Sequence, residues 1–226
     1  MAFARTKGKT EIEFKFHINK QLVLETVYGE SPTFAIWMED PGSGTKRTIF
    51  VTSRAGLSDW EGKAEVPEAL PRWDEVWKEE LQSLEKSGKP AQVPDAISGA
   101  TPEPGYFTER VRVAPGSKWI CWIEMNLSGD YNETYKEYDD VNKREDKYAT
   151  GQPALLYKAV VEAREGSIVK PEVVGMCVFE AETEEVSLQS LKGITTALDV
   201  FDEMSISVVR PKPRILNKNR ITCLTP

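Results

Sequence analysis

Short apolar runs recur along the whole chain, and their length is what most constrains the fold. About nine runs are separated by clusters of glycine, proline, aspartate and asparagine, and none approaches the roughly 18 residues of a membrane helix. Runs of this length with period-two alternation are typical of β-strands. They lie at residues 11–18, 22–28, 33–38, 47–52, 106–113, 118–125, 154–163, 173–180 and 203–209.

Two of these runs indicate how the strands are arranged. In YFTERVRV (106–113), apolar residues face one way and Arg110 and Arg112 face the other, which predicts a half-solvated antiparallel strand. The apolar residues are Phe107, Val111 and Val113. KWICWIEM (118–125) is apolar on both faces, which predicts a central strand. We therefore expect an all-β fold, an antiparallel two-sheet β-sandwich of the immunoglobulin or fibronectin-like type.

The segment PRWDEVWKEELQSLEKSG (71–88) interrupts the strand pattern and predicts one inserted amphipathic helix near 71–87. Pro71 suits a first helical turn, and Gly88 suits the end of a helix. An apolar stripe at helical spacing is wide enough to dock on a sheet. The stripe consists of Trp73, Trp77, Leu81 and Leu84.

These elements predict a single domain over residues 1–209 with two irregular regions. One is a long acidic loop at 128–146, and the other is a basic, proline-containing extension at 210–226. The loop offers oxygen ligands of the type that calcium takes, although their spacing matches no EF-hand. Those ligands are Asp130, Glu133, Asp139 and Asp140.

Composition excludes several functions. The formal net charge of −7 argues against a field that attracts nucleic acid or anionic lipid. His17 is the only histidine, so histidine triads and multi-histidine metal sites are excluded. Cys121 and Cys177 lie inside apolar runs, which predicts buried free thiols, whereas Cys223 lies in the polar tail. Paired carboxylates for glycoside hydrolysis stay open, because their separation depends on the tertiary structure.

The stretch VPDAISGATPEPG (93–105) differs from every apolar run. Its prolines forbid a helix, and its Gly-Ala pair lets another molecule approach the backbone closely. One interpretation is a tight Ser-Gly turn in which Thr101 bonds its own backbone. The other is a hydroxyl group presented to a second enzyme. The pattern D-x-x-S-G-A-T is formed by Asp95, Ser98, Gly99, Ala100 and Thr101.

This pattern resembles the sequence at which FMN is attached through its phosphate to threonine in subunits of sodium-pumping quinone reductase and Rnf complexes. The resemblance implies that Thr101 is the acceptor and that a magnesium-dependent FMN transferase, with FAD as donor, makes the bond. The residues that the transferase would recognise are Asp95, Ser98, Gly99 and Ala100.

The order of segments resembles a bacterial family of predicted periplasmic proteins, domain of unknown function twenty-two seventy-one. FAIWMED, KRTIFVTSR, the tryptophan helix, DAISGATPEPGYF and KWICWIEMN follow one another as in that family, and GQPALLYKA and GITTALDVFDEMSISV resemble its closing part. Ser98 replaces the more usual threonine, and the connection after Asn126 is longer than in that family. The resemblance covers about residues 20–209. It implies an exported β-sandwich associated with membrane electron-transfer proteins and FMN transferases.

We therefore expect a periplasmic or otherwise extracytoplasmic protein that carries covalent FMN at Thr101 and acts as an electron carrier rather than an enzyme. The sequence MAFARTKGKT has no apolar segment of an export signal, so this location rests on the resemblance. The alternative is a binding or structural β-sandwich without a cofactor, and neither membrane insertion nor nucleic-acid binding is expected. Aromatic residues that could stack on a flavin are Trp37, Trp60, Trp119, Trp122 and Tyr106.

Overall fold

The computed structural model describes residues 10–57, 68–86, 88, 98–99, 102–141, 143–180 and 182–211. The longer strands are β1 (Thr10–Ile18), β2 (Thr33–Glu39), β3 (Lys46–Thr52), β5 (Gly105–Val113), β6 (Lys118–Asn126), β9 (Ala154–Glu162), β11 (Glu172–Glu180), β12 (Glu185–Gln189) and β13 (Phe201–Val209). Two-residue strands are β4 (Ser98–Gly99), β7 (Tyr138–Asp139), β8 (Arg144–Glu145) and β10 (Ile168–Val169). The helices are α1 (Lys20–Glu25), α2 (Ser53–Leu57), α3 (Pro71–Lys86) and a 3₁₀ turn at Thr196–Asp199.

The strands form two sheets that share one core. The smaller sheet has the order β10-β13-β1-β5, and the larger has the order β12-β11-β9-β6-β2-β3-β4. The long neighbouring strands are antiparallel, whereas β3 and β4 are parallel. The expected all-β, two-sheet sandwich with one inserted amphipathic helix is therefore confirmed, and β6 lies at the centre of its sheet as its doubly apolar sequence indicates.

Alternation along the strands builds the core between the sheets. Phe14 and Phe16 of β1 are fully buried against residues of the larger sheet such as Phe34. The alternation expected in β5 is confirmed, because its apolar residues pack on this core while its arginines point outward. Arg110 and Arg112 pair there with Glu13 and Glu11 of the neighbouring strand β1. The outer face of the smaller sheet is thus a solvated row of ion pairs.

The prediction of a strand at 22–28 is wrong, because helix α1 occupies the first half of that run. The side chain of Asn19 accepts hydrogen bonds from the backbone N–H groups of Gln21 and Leu22, at 3.1 and 3.4 Å. That N-cap starts a helix where the apolar pattern alone favoured a strand. Val23 is buried, whereas Leu24 is 60% exposed, so the run has a single inward-facing position in place of an alternating face.

Helix α3 docks on the outer face of the larger sheet, as the apolar stripe predicts, but with a shifted contact face. Trp73 is buried, while Trp77, Leu81 and Leu84 are only partly buried. Val76, which the stripe omits, is buried in the cluster that joins the helix to the sheet. The later residues of the stripe do not pack on the sheet, because only the first half of helix α3 lies over the face of the larger sheet.

The second half of helix α3 runs along the first part of β3, outside the two residues of β3 that pair with β4. There the carboxylate of Glu80 accepts a hydrogen bond from the backbone N–H of Thr48 at 3.0 Å, and Glu79 pairs with Lys46 at 2.8 Å. Polar contacts replace apolar packing at this edge, which explains why the later residues of the stripe are only partly buried. The helix also satisfies an edge N–H group that would otherwise face solvent.

The predicted buried thiols are confirmed. Cys121 and Cys177 are free and buried, and burial raises the pKa of Cys121 to about 12. Cys223 lies outside the described residues, as does most of the extension at 210–226. The acidic loop at 128–146 contains the short hairpin of β7 and β8.

Replacing Trp73 with alanine should lower the free energy of unfolding by about 3–5 kcal/mol, because its indole is buried between helix and sheet. Trp77→Ala is the matched control on the same helix and should cost only about 1–2 kcal/mol, because Trp77 is partly buried. Urea melts of both variants give the comparison. An equal loss of unfolding free energy in the two variants would contradict a contact face that buries Trp73 more deeply than Trp77.

Candidate functional site

The middle of the D-x-x-S-G-A-T pattern lies at the edge of the larger sheet. Ser98 and Gly99 form strand β4, which pairs in parallel with Val51 and Thr52 of β3. Asp95, Ala100 and the expected acceptor Thr101 lie outside the described residues. The structure therefore describes two of the five candidate residues, and it pairs their backbone with the end of β3.

The hydroxyl group of Thr52 is a second feature of this edge. Thr52 is opposite Gly99 in the register, and its Oγ1 atom is buried with no hydrogen-bond partner among the described residues. Buried hydroxyl groups are normally hydrogen-bonded, and an exception calls for an explanation. The exception here lies directly beside the motif.

A cavity of about 260 Å³ is lined by residues that follow β3 and the motif in the chain. Arg54 follows the end of β3 by two residues, and Glu103 follows the expected acceptor by two residues. Both side chains line the cavity, together with residues before β2 and after β6. The remaining lining residues are Tyr28, Gly29, Glu30, Ser31, Thr33, Pro104 and Ser128.

The guanidinium group of Arg54 is the positive charge of this cavity. It pairs with Glu30 at 2.9 Å, and the two side chains are 37% and 47% exposed. A partly exposed ion pair of this kind contributes at most about 1 kcal/mol, so Arg54 can exchange Glu30 for another anion at small cost. Arg54 is a functional candidate that the sequence did not reveal, because no motif marks it.

The wall formed by Tyr28 is fixed by a close backbone contact. Gly129 has a φ of 73°, and a Cβ atom added there would lie 2.7 Å from the Tyr28 ring. Only glycine fits this combination of positive φ and close approach. The ring of Tyr28 is therefore held against the turn that follows β6.

A buried carboxylate is the most perturbed acidic group of the described residues. Glu124 of β6 is fully buried and accepts hydrogen bonds from the backbone N–H groups of Arg72 and Trp73, at 3.0 and 2.7 Å. These are N–H groups of the first turn of helix α3, which have no partner inside the helix. The positive end of the helix dipole adds to the attraction.

Burial determines the ionisation of this carboxyl group. It raises the pKa of Glu124 from 4.5 to about 7, against the opposing effect of the bonds from Trp73 and Arg72. The thiol of Cys177 also hydrogen-bonds Glu124, and burial raises the thiol pKa well above its usual range. Glu124 does not line the cavity that contains Arg54, and both of its carboxylate oxygens bond the start of helix α3, so we assign it to docking the helix.

The aromatic residues suggested as flavin partners differ widely in accessibility. Trp37 is buried, with its ring 6.2 Å from the parallel ring of Trp122, and Trp122 and Trp119 are partly buried. Tyr106 is 61% exposed. Trp60 lies outside the described residues. Tyr106 is thus the described aromatic most able to meet a ligand.

Tyr106 belongs to a charged cluster on the outer face of the smaller sheet. Its hydroxyl group donates to Glu203 at 2.9 Å, and the ammonium of Lys15 lies 4.4 Å from its ring centre. The ring of His17 lies 4.7 Å away, and His17 also contacts Asp202 at 2.6 Å. The cluster fixes the ring orientation by cation–π and hydrogen-bond contacts.

Neither a metal centre nor a spanning helix is found in the described parts of the chain. No group of three histidine, cysteine or acidic side chains is arranged there to hold a metal ion. Asp130, one of the ligands offered for calcium, instead accepts hydrogen bonds from Thr196 and Gln152. No described helix combines the length and apolarity needed to cross a bilayer.

Comparisons with family models, with curated proteins and with solved structures give no match for this chain.

The raised pKa of Glu124 predicts a pH dependence of stability. Between pH 4.5 and about 7 the folded protein retains a proton that the unfolded chain has lost, so the free energy of unfolding falls as pH rises through this window. The fall attributable to Glu124 should be roughly 3 kcal/mol. Above pH 7 the contribution of Glu124 to the free energy of unfolding no longer changes with pH.

Urea melts between pH 4 and 9 on the wild type and on Glu124→Gln measure this effect, because glutamine does not titrate. The difference in unfolding free energy between the two proteins should change across the window. Glu180→Gln, at the exposed end of β11, is the control and should follow the wild type at every pH. A difference for Glu124→Gln that does not vary with pH would contradict the prediction.

Proposed function

We propose that this protein carries FMN covalently on Thr101 and acts as an extracytoplasmic electron carrier rather than as an enzyme. The observation that carries the proposal is the position of the motif. Its Ser98–Gly99 strand extends a sheet edge, and the residues after Thr101 line a cavity that contains Arg54. A modifying enzyme must reach the backbone of its substrate, and a short edge strand leaves backbone groups available for that contact.

The cavity suits the polar end of an attached flavin. A phosphodiester carries a negative charge, and a guanidinium group binds phosphate oxygens in a bidentate manner. Arg54 would hold this phosphate in place of Glu30. Ligand pockets usually have about 300–1,000 Å³, so a cavity of about 260 Å³ would hold part of the flavin and leave the ring system outside. FMN would supply the redox chemistry, and the protein would set its exposure and orientation.

Attachment requires a second protein. An FMN transferase would join the Thr101 oxygen to the phosphorus of the FMN half of FAD. The diphosphate bond would break, AMP would leave, and the hydroxyl proton would pass to solvent. A membrane electron-transfer protein is the proposed redox partner. Both partners, and the extracytoplasmic location, rest on the resemblance of the motif and of the segment order.

A binding or structural β-sandwich without a cofactor is the alternative function. It is favoured by a wide groove beside the loop between β6 and β9, which the flavin proposal does not use. Under this alternative the Ser-Gly-Ala-Thr stretch is a turn, with Asp95 and Thr101 bonding local backbone groups.

The proposal predicts a covalent adduct at one residue. Co-expression with an FMN transferase, in the compartment where a known acceptor is modified, should add one FMN-phosphoryl mass to the peptide containing Asp95–Thr101. Thr101→Ala should abolish the adduct, because alanine has no hydroxyl oxygen, and Thr101→Ser should retain part of it. Mass spectrometry of the intact protein and its peptides gives the result.

Asp95→Ala separates recognition from folding. This substitution should reduce the fraction of protein that carries FMN while leaving the melting temperature unchanged, because the proposed role of Asp95 is recognition by the transferase. Loss of the fold in Asp95→Ala or Thr101→Ala would favour the structural turn instead. An unmodified wild-type chain, beside a modified known acceptor, would exclude the flavin function.

Arg54 should control how firmly an attached flavin is held. In the loaded protein, Arg54→Ala should increase quenching of flavin fluorescence by iodide, because alanine cannot bind the phosphate that anchors the flavin to the protein. The extent of loading should stay the same. Arg47→Ala is the control and should change neither quantity, because Arg47 is an exposed arginine of β3 that does not line the cavity. Unchanged quenching in Arg54→Ala would remove Arg54 from the site.

A further inference from the structure

Hydrogen bonds within the loop between β6 and β9, and from the loop to the segment before β13, hold this loop in place. Thr196 donates its hydroxyl to both carboxylate oxygens of Asp130, at 2.7 and 2.9 Å, and the Gln152 amide donates to Asp130 at 2.7 Å. The side-chain amide of Asn132 donates to the backbone oxygen of Gly193 at 2.9 Å. Inside the loop, β7 and β8 form a short antiparallel hairpin that adds backbone pairing to these side-chain bonds.

The other side of the loop is fixed in the same way. The Asp146 carboxylate accepts from the backbone N–H of Gly151 at 2.8 Å, and Gly151 packs so closely that an added Cβ atom would lie 2.8 Å from the Asp130 backbone. The hydroxyl of Tyr135 donates to the backbone oxygen of Lys192 at 3.1 Å. A surface held this firmly loses little conformational entropy when it binds a partner.

This ordered loop lines a groove of about 1060 Å³, slightly above the range of about 300–1,000 Å³ that is usual for small-molecule sites. Three tyrosines contribute to its walls, and Phe179 of β11 also lines it. Tyr138 and Tyr148 are 46% and 39% exposed, so their rings are accessible. Tyrosine supplies a large amphipathic contact area with few rotatable bonds, and it is enriched where proteins bind peptides and other proteins.

The charge of the groove indicates what it can bind. Among the described lining residues, five are acidic and three are lysines, which gives a net charge of −2. Accessible tyrosine rings attract lysine and arginine by cation–π contact, and the carboxylates of Glu133 and Glu145 add direct pairing. Nucleic acid would be repelled by this surface. A neutral oligosaccharide would leave the surplus negative charge unused.

We propose that this groove binds an extended, positively charged peptide segment of a partner protein. Lysine or arginine side chains of the segment lie over Tyr138 and Tyr148 and pair with carboxylates such as Glu133 and Glu145. The backbone of the segment meets the polar groups of the groove walls. This binding site does not depend on flavin attachment at Thr101, and it exists whether or not that proposal holds.

The test uses the full chain and fluorescein-labelled synthetic peptides in fluorescence anisotropy at low salt. A peptide of repeated Lys-Pro-Ala should bind about tenfold or more tightly than one of repeated Glu-Pro-Ala, because the negatively charged groove repels the glutamate side chains. Added salt should weaken the binding, since the contacts are partly exposed. The combined variant Glu133→Gln with Glu145→Gln should lower the affinity several-fold, and so should Tyr148→Ala.

Glu172→Gln combined with Glu182→Gln is the matched control, because both side chains are exposed and neither lines the groove. This variant should bind the lysine peptide as the wild type does. Thermal melts establish that each variant is folded, and Tyr138→Ala replaces Tyr148→Ala if the latter is not. Three results would each overturn the proposal: no binding, equal binding of the two peptides, or binding of neutral maltooligosaccharides in preference to the lysine peptide.

Discussion

The carboxylate of Glu124 joins the only long helix described to the centre of the larger sheet, and much of the structure depends on this contact. Burial of an acidic group is costly, and here it is offset by two backbone N–H groups of helix α3 and by the thiol of Cys177. Because the start of the helix is fixed at this point, Trp73 packs on the sheet and the later turns follow the first part of β3.

The position of the helix has consequences for the candidate flavin site. Glu80 satisfies the Thr48 N–H group of β3, while the two-residue strand β4 pairs with the far end of the same strand. The motif thus joins a sheet edge whose other end is already covered by the helix. Arg54 and Glu103 leave this edge at the same end and meet in one cavity. The sandwich therefore places the charge of Arg54 in a cavity that is also lined by Glu103 and Pro104, near the end of the 93–105 stretch.

Local patterns explain which parts of the fold could be predicted. The outward-facing β5 arginines follow from alternation within one strand, and the burial of Cys121 follows from a run that is apolar on both faces. Helix α3 follows from its start and stop residues. The strand expected at 22–28 failed because one side chain, Asn19, caps a helix there. The role of Glu124 could not be predicted, because Trp73 lies 51 residues away in the chain and no sequence period links them.

The sequence by itself determined the strand-rich composition, the two-sheet sandwich and the candidate motif around Thr101, because alternation, turn residues and a short linear pattern are local properties. Only the tertiary structure decided that Arg54 lies in a cavity with Glu103, and that the acidic loop forms a firm groove. It also decided that Glu124 docks a helix. These three arrangements depend on residues that are distant in the chain and come together only when the sheets pack. Burial and charge pairing are properties of the folded protein, so a local sequence pattern does not contain them.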